Sequence, residues 1–305
     1  MTPEVSGPAD TLRRGLHRAL RGMVAGNRSP VRNLAAPVIG DPGLFGPESV
    51  TWRVHADGAM FIGGVRALFF QTMHPLAMAG VADHSNYRHA PLERLANTAQ
   101  YIGLATYGTT RQAEDTVAAV KRVHARVVGH APDGRPYAAN DPHLLSWVHH
   151  ALVDSFLRAY RRYGRQPLTG AEADQYVKEN AVVAELFGCD ARLHSVSELD
   201  EWMRAERTEL RAGRQARTAA RFLIAPPLPL AARPAYAVIA AAGVSLLPSW
   251  VRHDLRVPLL PLVEPLAIRP AARTLTRTID WVMRLPSEQA PVVDDAPLPT
   301  RSTHE

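Results

Sequence analysis

The residues best suited to chemistry in this chain are its 13 histidines, and one of them stands apart by position. Ala113, Val117, Val120, His124 and Val127 recur at alternating steps of four and three, which traces one stripe of a single helix. The rest of the stripe is apolar, so His124 is expected to point into the core. A buried neutral imidazole needs partners for its ring nitrogens. A backbone carbonyl or a side chain would serve. So would a metal, because a helix-borne histidine in an apolar pocket is how many haem proteins hold iron. The stripe alone leaves both readings open.

Other candidates lie on either side. Arg94 and Thr98 stand one helical turn apart, and Tyr101 continues the line. An arginine there can grip a carboxylate such as a haem propionate bidentately, with the threonine adding a hydroxyl. Equally, the arginine can sit in a surface salt bridge and the threonine can bond its own backbone. His143 and His150 share a helix face and His149 adjoins them, lining a pocket or marking the edge of an apolar face. His74, His84 and His89 fall at helix ends or in loops, and His84 could flank a pocket entrance. Cys189 is the only cysteine, which excludes an internal disulfide and a cysteine-based zinc cluster; Asp190 beside it would raise its pKa.

The elements that must position these groups read as helices throughout. Residues 48–73 form one helical pattern stopped at His74-Pro75 and interrupted by Gly58, Gly63 and Gly64. Those glycines suit close approach by another helix or by a flat ligand. With Phe69, Phe70, Met73 and Met78 they are expected to wall an apolar pocket. A short helix over 76–83 leads into the His84-Ser85-Asn86-Tyr87 loop, and Pro91 opens the next, which runs to Tyr107. Thr109 or Thr110 caps the helix of His124, expected to end at Gly129. A turn-rich connector spans 131–140. Asp141-Pro142 then starts a strong helix through Trp147, Phe156 and Tyr160. Capping boxes at Thr169/Glu172 and Ser195/Glu198 open helices ending at Phe187 and near Arg211. Prolines punctuate shorter helices after Phe222, and the last clear helix covers 270–284. No run of alternating strands is present, so the fold class is all-α.

Composition narrows the function classes. Apolar residues make up 46% and charged residues 21%, a globular balance. The formal charge is +6, but the arginines are scattered and paired with acids, and no basic run is interleaved with stacking aromatics. Nucleic acid is therefore not an expected partner. The first ten residues lack the basic and apolar regions of a signal peptide, which makes the expected location cytoplasmic. The apolar stretch 235–247 is shorter than the roughly 20 residues of a membrane span, so it reads as a buried or interfacial helix. With the basic amphipathic pattern at 11–26 it leaves peripheral membrane contact as an option. Dinucleotide, P-loop, serine-hydrolase, zinc-protease and di-iron bundle signatures are all absent.

Taken together, the run over 52–187 resembles the MpaB-type oxygenase family, which includes the rubber-cleaving latex-clearing proteins. The resemblance rests on His74-Pro75-x(5)-Val81-x-Asp83-His84-Ser85 and on Arg94-Leu95-x-x-Thr98. It continues in Val120-x-x-Val123-His124-x-x-Val127-x-Gly129 and Tyr137-x-Ala139-x-Asp141-Pro142-x-Leu144-Leu145-x-Trp147-Val148. It implies a globin-like helical core with extra N- and C-terminal helices, and bound haem b. The residues themselves divide the chain into an arm with a short basic helix (1–47), a single helical domain (48–285) and a disordered tail (286–305), and the resemblance implies that the domain binds haem and is catalytic. His124 matches the family's proximal iron ligand, and Arg94 and Thr98 match its distal-side pair. The implied partners are a hydrophobic, isoprenoid or lipid-like substrate and O2. Asn97 stands where the latex-clearing proteins carry a lysine, and no acid matches their upstream glutamate near Met78, Asp83 being the nearest. Rubber-type cleavage is therefore not implied, and Asn97 joins Thr98 as a candidate hydrogen-bond donor to oxygen. Two other readings stay open: a non-catalytic haem-binding globin relative, and a cofactor-less membrane-associated helical protein.

Overall fold

A computed structural model describes residues 41–85, 91–258 and 261–283, with backbone alone for 91–96. The basic helix expected at 11–26, the tail at 286–305, His89 and the loop residues Asn86 and Tyr87 lie outside the described residues. The helices are α1 (Val50–His55), α2 (Ala59–Gln71), α3 (Pro75–His84), α4 (Pro91–Tyr107), α5 (Thr110–His124), α6 (Pro142–Tyr163), α7 (Gly170–Phe187), α8 (Val196–Ala205), α9 (Arg214–Ile224), α10 (Arg233–Ser245), α11 (Ser249–Leu255) and α12 (Arg269–Met283). The all-α class holds. One antiparallel hairpin, β1 (Val128–His130) with β2 (Pro136–Ala138), pairs Gly129 with Tyr137.

Local rules account for most boundaries. Thr109 and Gln112 close a reciprocal capping box on α5, and Thr169 with Glu172 does the same on α7, which Gly188 ends at φ 81°. Asp41 adds a second anchor to α5 by accepting from the Thr110 backbone N–H and hydroxyl at 3.0 and 2.9 Å. α6 starts on Asp141, whose carboxylate accepts from the His143 and Leu144 amides.

Several expectations change. The single helix over 48–73 is broken into α1 and α2, because Asp57 captures the Ala59 N–H at 2.8 Å and the Arg165 N–H at 3.0 Å. Gly58 then allows α12 to close in, since a Cβ there would stand 2.7 Å from the Thr276 carbonyl oxygen. The connector at 131–140 folds back as the hairpin, with Gly134 at φ 85° beside Asp133 in the turn. The helix of His124 consequently ends at His124 and not at Gly129, which lies in β1.

The centre of the molecule is α2, packed along α6 on one side and α10 on the other. Gly63 is the contact point: a Cβ there would meet Phe156 at 2.8 Å. Phe69, Phe70, Met73 and Met78 are all buried, in one cluster with Trp147, Val251 and Leu255. The apolar pocket expected from those four side chains is a filled core instead, and the glycines serve helix–helix contact.

One ion pair crosses that core. Arg66 on α2 and Asp154 on α6 approach to 2.8 Å with side chains 1% and 4% exposed. Arg66 also donates to Ser155 Oγ at 2.6 Å and to the Leu246 carbonyl at 3.0 Å, and Arg158 binds the other Asp154 oxygen at 2.6 Å. Every strong donor and acceptor in this network has a partner, as burial of charge demands.

The candidate cofactor and metal centre

Two places bring chemistry-bearing side chains together, and the first is the end of α5. Along the stripe, Ala113 and Val117 are buried, and Val120, His124 and Val127 are half-buried. The stripe therefore faces inward as expected, but His124 sits at its rim, as the last helical residue. Its Nδ1 is buried and has no hydrogen-bond partner among the described residues. Burial lowers the His124 pKa, so the ring is neutral at pH 7. An unmet polar atom of this kind costs about 1–3 kcal/mol unless something fills its valence.

The hairpin beyond His124 is clamped by the end of α3. His84 Nε2 lies 3.2 Å from both the Val128 carbonyl and the Tyr137 hydroxyl, and Tyr137 donates to Asp83 at 2.7 Å. Asp83 and His84 are thus partners of the hairpin that carries the chain away from His124.

α4 and α5 form a helical hairpin joined at Gly108 and Thr109, and they pack against each other. Tyr101 and Val117 meet in one cluster, with Phe187 edge-on to the Tyr101 ring at 5.7 Å. The two helices run antiparallel across that short turn, so the N-terminal end of α4, which holds position 94, lies toward the C-terminal end of α5. Thr98 is half-buried and Asn97 exposed, and the side chain of Arg94 lies outside the described residues. Cys189 is buried, and burial, with Asp190 adding, pushes its thiol up to about 11. It is no nucleophile.

The second place was not legible as a unit in the sequence. His74 precedes Pro75 at the start of α3, His143 lies in the first turn of α6, and Glu206 follows α8. One nitrogen from each imidazole and one Glu206 oxygen lie within 4.8 Å of one another. His143 Nε2 is 3.1 Å from Glu206 Oε2, and His143 Nδ1 is 3.1 Å from Asp190 Oδ2. Burial opposes a charge on His143, but Glu206 and Asp190 outweigh it and hold its pKa above the usual value. Burial, with the charge on His143 adding, lowers His74 to about 4. The His74-Pro75 step and the first turn after Asp141-Pro142 were the available signals; nothing local pointed to Glu206.

His149 and His150 are both buried, so they belong to the interior and not to an open pocket edge. Burial, then the neighbouring His150, holds His149 near pKa 3, and burial alone holds His55 near 3. Unfolding returns both to the ordinary value of about 6.5. As pH falls below that value the unfolded chain takes up protons that the folded chain refuses, so stability falls with pH until the depressed values are reached. The slope is at most about 1.4 kcal/mol per pH unit for each histidine. Urea unfolding at a series of pH values between 7 and 4.5 is expected to show this loss, and a shallower one in His149→Gln. A flat profile would contradict the burial of these rings.

Residues 52–282 match the family model described as ER-bound oxygenase mpaB/B'/Rubber oxygenase, catalytic domain. The chain belongs to this family. Comparison with curated proteins gave no match, and neither did comparison with solved structures. The oxygenase-family match covers α2 to α11 entire, together with both groups of residues described above. Its chemistry therefore belongs to this helical core, and O2 with an oxidisable substrate are the partners the family implies.

Proposed function

We propose that the chain is a haem b-dependent oxygenase acting on a hydrophobic, isoprenoid or lipid-like substrate, with His124 as the iron ligand. The observation that carries this reading is the buried His124 Nδ1 without a partner, on a ring kept neutral by burial. A neutral imidazole with an unfilled valence is the donor that haem iron takes. The site would fall within a single catalytic domain over 48–285, with helix-borne ligation of the globin kind.

Haem b, when bound, supplies the redox chemistry that activates O2. The chain supplies the rest. Arg94, on the end of α4 that the helical hairpin turns toward the end of α5, would neutralise a propionate. Thr98 and Asn97 on the same helix would donate hydrogen bonds on the O2 side. Asp83 holds the Tyr137 hydroxyl and thereby the hairpin, which fixes where α5 ends and how His124 is presented.

Among the described residues no single helix is long and apolar enough to cross a membrane. Leu230, Leu262 and Leu266 are 77%, 75% and 77% exposed, near Arg233 and Arg269 in sequence. These exposed leucines support peripheral contact with a membrane, where a lipid-like substrate would be met, and the proposed location is the cytoplasmic side. Haem-loaded protein given O2 and a panel of isoprenoids and lipids is expected to consume O2 and yield an oxygenated product. Fully loaded protein that leaves the whole panel unchanged would favour a haem carrier and overturn the enzymatic reading.

A further inference from the structure

We propose that His74, His143 and Glu206 form a second site, independent of haem, that binds one divalent first-row transition-metal ion. Two imidazoles and one carboxylate make a mixed ligand set suited to zinc or ferrous iron, with positions left open for water or substrate.

The first argument is the tautomer of His143. Asp190 is fixed by Ser146, which donates to its Oδ1 at 2.5 Å, and its Oδ2 faces His143 Nδ1 at 3.1 Å. In its neutral form the ring therefore keeps its proton on Nδ1 and leaves the Nε2 lone pair beside Glu206 Oε2, 3.1 Å away. In that form a lone pair and a carboxylate oxygen at this distance repel each other unless a cation lies between them or the ring takes up a second proton. A proton is one answer, but Glu206 Oε2 is buried without a hydrogen-bond partner, so it does not lie along the N–H direction of His143. A metal ion answers without that alignment.

His74 is the second, independent argument. Its ring is 2% exposed, and Nδ1 has no hydrogen-bond partner among the described residues. A proton shared between His143 and Glu206 does nothing for the buried His74 ring; a metal ion takes one nitrogen of each imidazole and one Glu206 oxygen at once. Ligands about 2.1 Å from a metal stand about 3–3.5 Å apart. The 4.8 Å spread thus needs to close by about 1.5 Å.

The surroundings fit such a site. Asp190 on the far nitrogen of His143 is the outer carboxylate that orients a ligating imidazole and raises its basicity. Trp147 lies 6.1 Å from the His74 ring and Trp202 lies 6.2 Å from the His143 ring, and the two indoles stack at 6.4 Å. This apolar wall excludes water from one side. The half-exposed His143 leaves the other side accessible.

Metal-stripped, haem-free full-length protein titrated with Zn(II) by calorimetry, and with Co(II) by visible absorption, tests the proposal. The expected result is one ion per chain with micromolar or tighter affinity, and Co(II) bands displaced by Zn(II). Glu206→Gln and His74→Ala, checked for wild-type circular dichroism, are each expected to weaken binding at least about 10-fold, and Asp190→Asn by about 10- to 100-fold. His124→Ala is expected to titrate as wild type, so this site and the haem reading stand or fall separately. Absence of binding would show a proton-only His143–Glu206 pair and overturn the proposal. Binding that survives both ligand substitutions would belong to other imidazoles and overturn it equally.

Discussion

His124→Ala is expected to reduce bound haem to less than about a tenth of wild type while leaving the fold intact. In the proposed reading haem b is held to the chain through its axial ligand, and among the described residues α5 carries no second histidine to replace it. The sign of the stability change separates the ligand reading from a structural one. The ring is half-buried at a helix end and its Nδ1 has no partner, so removing it deletes an unmet polar atom. Apo-protein stability should therefore change by no more than about 1 kcal/mol in either direction. A structural histidine would give the opposite pattern, with unchanged pigment and a clear loss of stability. Haem extraction and urea unfolding on the same preparation read both quantities.

Asp154→Ala is expected to cost about 3–5 kcal/mol. The substitution strands the Arg66 guanidinium, 1% exposed, with only Ser155 and the Leu246 carbonyl as partners. Arg158 loses its inward contact as well. The penalty is the uncompensated buried charge and not the worth of the pair. Arg66→Met/Asp154→Leu should therefore recover most of the loss, because a packed apolar pair needs no neutralisation. A denaturant midpoint for Asp154→Ala within about 1 kcal/mol of wild type would mean that water reaches Arg66.

What the sequence disclosed and what it hid divide along contact distance. A threonine cap on α5, the capping box at Thr169 and the start of α6 at Asp141-Pro142 were legible, because each is settled by residues within one turn. The inward stripe of α5 was legible for the same reason, since periodicity is local. The end of α5 was placed too late. Gly129 looks like a helix stop but packs against the Tyr137 hydroxyl, where a Cβ would stand only 2.6 Å away. Asp133-Gly134 carried a hairpin signal that three-residue strands made easy to pass over. The break at Asp57 depends on Asp280 and Arg165, and the Arg66–Asp154 pair joins two helices far apart in the chain. No window along the sequence holds both partners.

The candidate sites divide the same way. His124 could be chosen from its stripe, and the resemblance placed Arg94 and Thr98 one helix away. Glu206 could not be chosen, since its only claim is that α8 ends beside His143 and His74. The four residues expected to wall a pocket were read correctly as apolar and inward. Their burial against Trp147 and Val251 was not accessible, because amphipathicity says that a face is covered and not what covers it.

The central claim is that this helical core carries haem on His124. Wild-type protein purified from haem-replete cells, measured by its visible spectrum and by haem extraction, tests that claim most directly. The account predicts a Soret band and close to one haem per chain, both lost in His124→Ala. A colourless wild-type preparation, or a variant that keeps its full pigment, would contradict it.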